Sequence, residues 1–163
     1  YTGEGINKYD YIHDDQVEWY AENVKALEAE QGRVVPSMAF FHIPLQQYRT
    51  AYELYESGSD EVEYHFGEIG ETMINPICCS EYPSRFFDTA VELGSTQAMF
   101  CGHDHYNNIS MTYQGIRLTY GMSIDYLAMP GISHDTKQRG GELITLRPDG
   151  SFELEQIPLT SLS

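Results

Sequence analysis

Two short apolar runs that end on histidine constrain the fold of this chain more than any other feature. Residues 33–41 read RVVPSMAFF and close at His42; residues 97–101 read QAMFC and close at Gly102-His103-Asp104-His105. Short, continuously apolar runs bounded by turn residues read as strands buried on both faces. Such strands need helices to cover them, and the intervening segments supply helical patterns. Asp15-Gln16-Val17-Glu18 reads as a helix start, with Asp15 as N-cap and Glu18 returning the bond. Val17, Tyr20, Val24 and Leu27 recur at helical spacing, and Gly32 marks the stop. Pro44 opens a second helix through Tyr55, and Pro83 a third that carries Phe86, Phe87, Ala90 and Val91 and stops at Gly94. Beyond the second histidine cluster the pattern becomes all-β. Ile109–Tyr113 and Ile116–Tyr120 flank the turn Gln114-Gly115; Glu142–Arg147 and Phe152–Ile157 flank Pro148-Asp149-Gly150-Ser151. Residues 1–13 and 121–140 read as loops, and the acidic, aperiodic stretch 56–81 as a long excursion. The expectation is an α/β layered fold in which the strands ending at His42 and Cys101 are adjacent and parallel.

The length of 163 residues fits one domain spanning 1–163. With 41% hydrophobic and 21% charged residues, the chain is not of the disordered class. No run approaches the roughly 18 apolar residues of a membrane-spanning helix. Charge is strongly unbalanced, 25 Asp+Glu against 9 Lys+Arg for a net −16, so nucleic acid and anionic membranes are repelled by the average field. An anionic substrate is repelled too unless something local and positive receives it. A bound metal ion is such a group, so phosphate chemistry stays open. Cys78, Cys79 and Cys101 cannot build a disulfide framework and have no zinc-finger spacing.

The tips of buried strands in α/β sheets are where loops converge on ligands. A histidine there can give one neutral nitrogen to a metal while its other N–H is held by a carbonyl or carboxylate. His103 and His105, just past a glycine that permits a tight turn, can splay toward two adjacent ions. Asp104 between them could hold a ring or ligate. His13, His65 and His134 lack that placement and read as packed or solvated side chains. Asn107 and Asn108 follow the cluster, and Arg139 precedes a strand, where it could meet phosphate or water. Tyr106, Met122, Tyr126 and Met129 could wall a leaving-group site or simply pack their loops. From the residues alone, His42, His103 and His105 could also form a three-histidine zinc site with one open position, and a non-catalytic binding or structural domain is a further reading. The sequence offers no Ser-His-Asp set.

FFHIPL at 40–45 and CGHDHYN at 101–107 resemble the last two metal motifs of the calcineurin-like metallophosphoesterases, in the purple-acid-phosphatase-like branch. The resemblance also takes in Tyr9-Asp10-Tyr11-Ile12 with Gln16 and Trp19, and the closing hairpins around Tyr120-Gly121 and Arg139-Gly140-Gly141-Glu142. It implies half of a four-layer α/β/β/α sandwich and a site of two divalent or mixed-valence metal ions such as Fe, Zn or Mn. His42 and His103 would then ligate one metal and His105 the other. Phosphate mono- or diesters would be hydrolysed by a metal-bound hydroxide. The family's remaining ligands, its bridging Asp and its catalytic His lie in an N-terminal half, and none of their motifs occurs here. The resemblance therefore makes this chain the C-terminal part of a metallophosphoesterase, inactive in isolation and completed by the missing half or a second chain, with a homodimer as one form. It slightly favours an exported or extracellular location.

Overall fold

The computed structural model describes residues 9–71, 75–134 and 137–159; the first eight residues of the expected N-terminal loop lie outside that range. Helix α1, Asp14–Gln31, begins two residues earlier than Asp15 as N-cap would give. His13 is the N-cap, and the Gln16 side chain accepts its N–H at 2.9 Å, so the reciprocal bond comes from Gln16 rather than Glu18. The helix ends at Gly32, whose φ of 66° is the left-handed stop. Val17 and Val24 are buried, whereas Leu27 is 46% exposed, because the helix runs past the core after Val24. Tyr20 fixes the packed part. Its ring meets Phe86 edge-on at 4.9 Å, and its hydroxyl lies 2.8 Å from the Thr96 hydroxyl.

The chain continues as β1 (Ser37–Phe40), α2 (Gln46–Glu56), β2 (Val62–Phe66), α3 (Phe86–Leu93), β3 (Thr96–Cys101), β4 (Ser110–Tyr113), β5 (Ile116–Tyr120), a short 3-10 turn (Ile132–His134), β6 (Gly140–Leu146) and β7 (Phe152–Pro158). Five strands form one mixed sheet in the order β1-β3-β5-β4-β2. β1, β3 and β5 run parallel, and β4 is antiparallel to both β5 and β2, so β4 alone runs against the rest. The expected parallel neighbours are thus β1 and β3. Between β4 and β5 both turn residues have positive φ, Gln114 at 47° and Gly115 at 81°, which suits a two-residue hairpin.

The segment 56–81 is not wholly irregular, for β2 lies within it. Val62, Tyr64 and Phe66 alternate with Glu63 and His65, a period-2 pattern masked by its acidic surroundings. The strand sits at the sheet edge, where outward charged side chains discourage further pairing. Directly after it, Gly67 takes φ 81° against the backbone of the opposite strand's approach, where an added Cβ would sit 2.1 Å from the Asn108 carbonyl oxygen. No larger residue fits there.

All three helices cover one face of the sheet. Leu45, Tyr48 and Ala51 with Phe86, Phe87 and Ala90 pack on Met99, Cys101, Met111, Leu118 and Tyr120. Each fully buried large side chain of this set contributes about 1.5–3 kcal/mol. Tyr48, which is fully buried, also donates its hydroxyl to the Met99 carbonyl at 2.7 Å, tying α2 to β3. The opposite face divides in two. On the β1–β3 side Phe40 stacks on Phe100 at 4.8 Å. Toward β4 it is polar: the Ser110 hydroxyl lies 2.7 Å from that of Thr119 and accepts from Arg117 Nε. The β6–β7 hairpin lies over this face as a separate two-stranded sheet, joined to it through Asn108 and Gln156, which exchange two hydrogen bonds. The layers present are helices, a mixed sheet and a second sheet, the mixed α/β arrangement expected of a metallophosphatase half. No described helix is long and apolar enough to cross a membrane.

Candidate metal centre

Backbone pairing continues past the ends of β1 and β3. Phe41 N–H donates to Phe100 C=O, Gly102 N–H to His42 C=O, and Gly121 N–H to Cys101 C=O, at 2.9–3.0 Å. Three parallel strands therefore end level with one another, and His42 lies beside Gly102-His103. The His42 and His103 rings stand edge to face with centroids 5.3 Å apart. Tyr9 also meets the His103 ring edge-on, with centroids 4.4 Å apart.

The tight turn is made by His103 rather than by Gly102. His103 has φ 73°, and Asp104 N–H donates back to Gly102 C=O at 2.9 Å, closing a three-residue γ-turn around the histidine. A non-glycine residue held there stores roughly 1–3 kcal/mol of strain, the kind of local cost that clusters at functional sites. Burial holds His103 below the ordinary imidazole value; Asp104 opposes that shift, while His42 and His105 reinforce it. A neutral imidazole is the form that donates to a metal.

Asp104 points inward. Its carboxylate is buried and accepts the Tyr120 hydroxyl at 2.6 Å and the Cys78 N–H at 3.0 Å. It anchors the turn to the core, and neither histidine ring is its partner. Burial, with Asp104 adding to it, pushes the Cys78 thiol up to about 12.

His105 turns to the loop after β5. Its Nδ1 lies 2.6 Å from Asp125 Oδ2. The Asp125 carboxylate also accepts the N–H groups of Leu127, Ala128 and Met129 at 2.8–2.9 Å. The Ala128 N–H, then the His105 ring and the other two N–H groups, hold this carboxyl well below the usual range. Asp125 escapes sequence reasoning because it lies twenty residues beyond His105 in a segment with no periodicity.

The other candidates fall outside this group. His13 is exposed, stacked on Tyr11 and bonded to Asp10. His65 on β2 meets the Thr112 hydroxyl, and His134 is exposed on the 3-10 turn. Asn107 holds Glu71 through its N–H and Pro76 through its C=O, and Asn108 holds Glu68 through its N–H. Arg139 donates to the Asp125 carbonyl and lies over the Tyr126 ring, so it fixes the loop. Met122 is buried, and Tyr106 donates to Pro130 C=O. Beside His42 lies a cleft of about 230 Å³ whose lining includes Asp10, Tyr11, Gln46 and Tyr82. Among the described residues, no three His, Cys, Asp or Glu side chains are grouped so as to hold an ion. His42 and His103 come together while His105 turns to its own partner, which disfavours a single three-histidine site.

No protein-family model matches the chain, and no solved structure does. Three proteins of Arabidopsis thaliana are similar to it. They are named probable inactive purple acid phosphatase 28 (29% identical over 77% of this chain), 14 (28% over 73%) and 29 (28% over 74%). The chain is similar to the purple acid phosphatases. It spans 28–30% of the length of these curated relatives. The purple-acid-phosphatase-like character agrees with the motifs at 40–45 and 101–107 and with the mixed α/β fold.

Proposed function

We propose that the chain supplies part of a two-metal site for hydrolysis of phosphate mono- or diesters. In this reading His42 and His103 serve one ion and His105 the other. The observation that carries it is the pairing of the His42 and His103 rings at adjacent parallel strand tips, 5.3 Å apart, with His103 held in a strained turn. The donor chemistry fits in part: His103 is biased toward neutrality, and His105 engages Nδ1 and keeps Nε2. Bound Fe, Zn or Mn ions would polarise the phosphoryl oxygens of the substrate. The contribution of this chain is to orient three imidazoles at the mouth of the sheet. The remaining ligands come from another segment of a longer polypeptide or from a second chain, and a homodimer is one way to cover the second sheet face. An exported or extracellular location belongs to the same proposal.

A non-catalytic domain that keeps this fold is the second reading. Two observations favour it: the relatives are named probable inactive, and the described residues group no three ligands. Metal content and turnover of an aryl phosphate, measured on this chain and on a longer polypeptide containing it, separate the two. The proposal expects little metal or activity in the chain alone. In the longer form it expects two ions and a turnover that His103→Ala lowers by about 100-fold or more. A longer form without metal or turnover favours the non-catalytic reading.

A further inference from the structure

We infer that Asp125 is the positioning residue of His105: it locks the imidazole in the Nδ1–H tautomer and leaves the lone pair on Nε2. The purpose of this arrangement rests on the proposed metal role of His105, but the tautomer itself requires no ion.

The argument is one of donors and acceptors. A carboxylate accepts only, so the ring nitrogen 2.6 Å from Asp125 Oδ2 must carry the proton. The neutral ring then has its lone pair on Nε2, the atom a metal or a proton would use. The carboxylate cannot swing away to release the ring. Oδ1 takes the N–H groups of Leu127 and Ala128, and Oδ2 takes that of Met129 as well as the imidazole. The turn is fixed in its own right. Ser123 Oγ accepts the Asp125 N–H at 3.1 Å, and Arg139 Nε donates to the Asp125 carbonyl at 2.6 Å. From the histidine side, the neighbouring Tyr106 hydroxyl donates to Pro130 C=O at 2.6 Å. The loop is therefore tied to the strand tip on both sides of the His105–Asp125 contact. A turn cap alone would need the three backbone bonds and no imidazole.

The test is long-range proton–nitrogen NMR of the 15N-labelled chain at pH 8.5. His105 is expected to carry its proton on Nδ1. In Asp125→Asn the amide oxygen can keep the Leu127 and Ala128 N–H groups while the NH2 faces the ring, so His105 is expected to switch to the Nε2–H form. Zinc titration of the longer polypeptide containing this chain, with and without Asp125→Asn, then reads the consequence, with affinity falling roughly 10–100-fold in the variant. An Nε2–H tautomer in the wild-type chain overturns the inference without any variant. So does an unchanged Nδ1–H tautomer in a folded Asp125→Asn chain. Equal zinc affinity despite a tautomer switch overturns the positioning role. A switch with no zinc binding in either longer polypeptide overturns the metal reading and leaves the hold of Asp125 on the ring established.

Discussion

Asp104→Ala strikes the junction between the core and the candidate centre. The Asp104 carboxylate accepts two hydrogen bonds, from the Tyr120 hydroxyl at 2.6 Å and the Cys78 N–H at 3.0 Å, in a residue only 6% exposed. Hydrogen bonds to a charged group contribute about 1.5–3 kcal/mol each, so removing both is expected to cost about 3–6 kcal/mol. Asp104→Asn should cost less, about 1–2 kcal/mol. One amide oxygen in place of Oδ2 can keep both bonds but without the charge. Urea unfolding gives both numbers from the shift in midpoint at constant slope. A second readout isolates the charge. Asp104 is the second cause, after burial, of the raised Cys78 thiol pKa of about 12. In folded Asp104→Asn that contribution is gone, so the thiolate population rises and alkylation of Cys78 at pH 8–9 should accelerate several-fold. A stability change below about 0.5 kcal/mol in Asp104→Ala, or an unchanged alkylation rate in Asp104→Asn, would refute the anchoring role.

His103→Gly should be more stable than His103→Ala by about 1 kcal/mol in thermal unfolding, because glycine takes φ 73° without steric cost; equal melting temperatures would show that the turn is unstrained. Burial raises Glu142 to about 7, with Arg117 opposing, and neither carboxylate oxygen has a hydrogen-bond partner. A folded-state pKa raised above the unfolded value favours the folded state at low pH, and this stability is lost as pH climbs from about 4.5 to about 7. After solvent screening, Glu142→Gln should gain about 1–2 kcal/mol on the wild type between pH 4.5 and pH 8, and a gap independent of pH in urea titrations would refute it.

The legible parts of this chain were those encoded by neighbours in sequence. The runs ending at His42 and Cys101 are short and apolar, and that implied paired strands with histidines at their tips; the central β3 is buried as expected, whereas β1 lies at the sheet edge with Phe40 65% exposed. Gly32 and the Gln114-Gly115 turn were legible for the same local reason, since backbone of positive φ selects few residues. β2 was hidden because an edge strand carries charge on one face, so its alternation looks like a polar loop. The turn strain falling on His103 instead of Gly102 follows from the level ends of β1, β3 and β5, which no local pattern records. The partition of the histidines is likewise non-local. His42 meets His103 because β1 pairs with β3, and His105 meets Asp125 because the loop after β5 folds back over the strand tip. Periodicity reports which face of an element is buried, whereas hydrogen-bond partners far apart in sequence are chosen by the packing that brings their elements together.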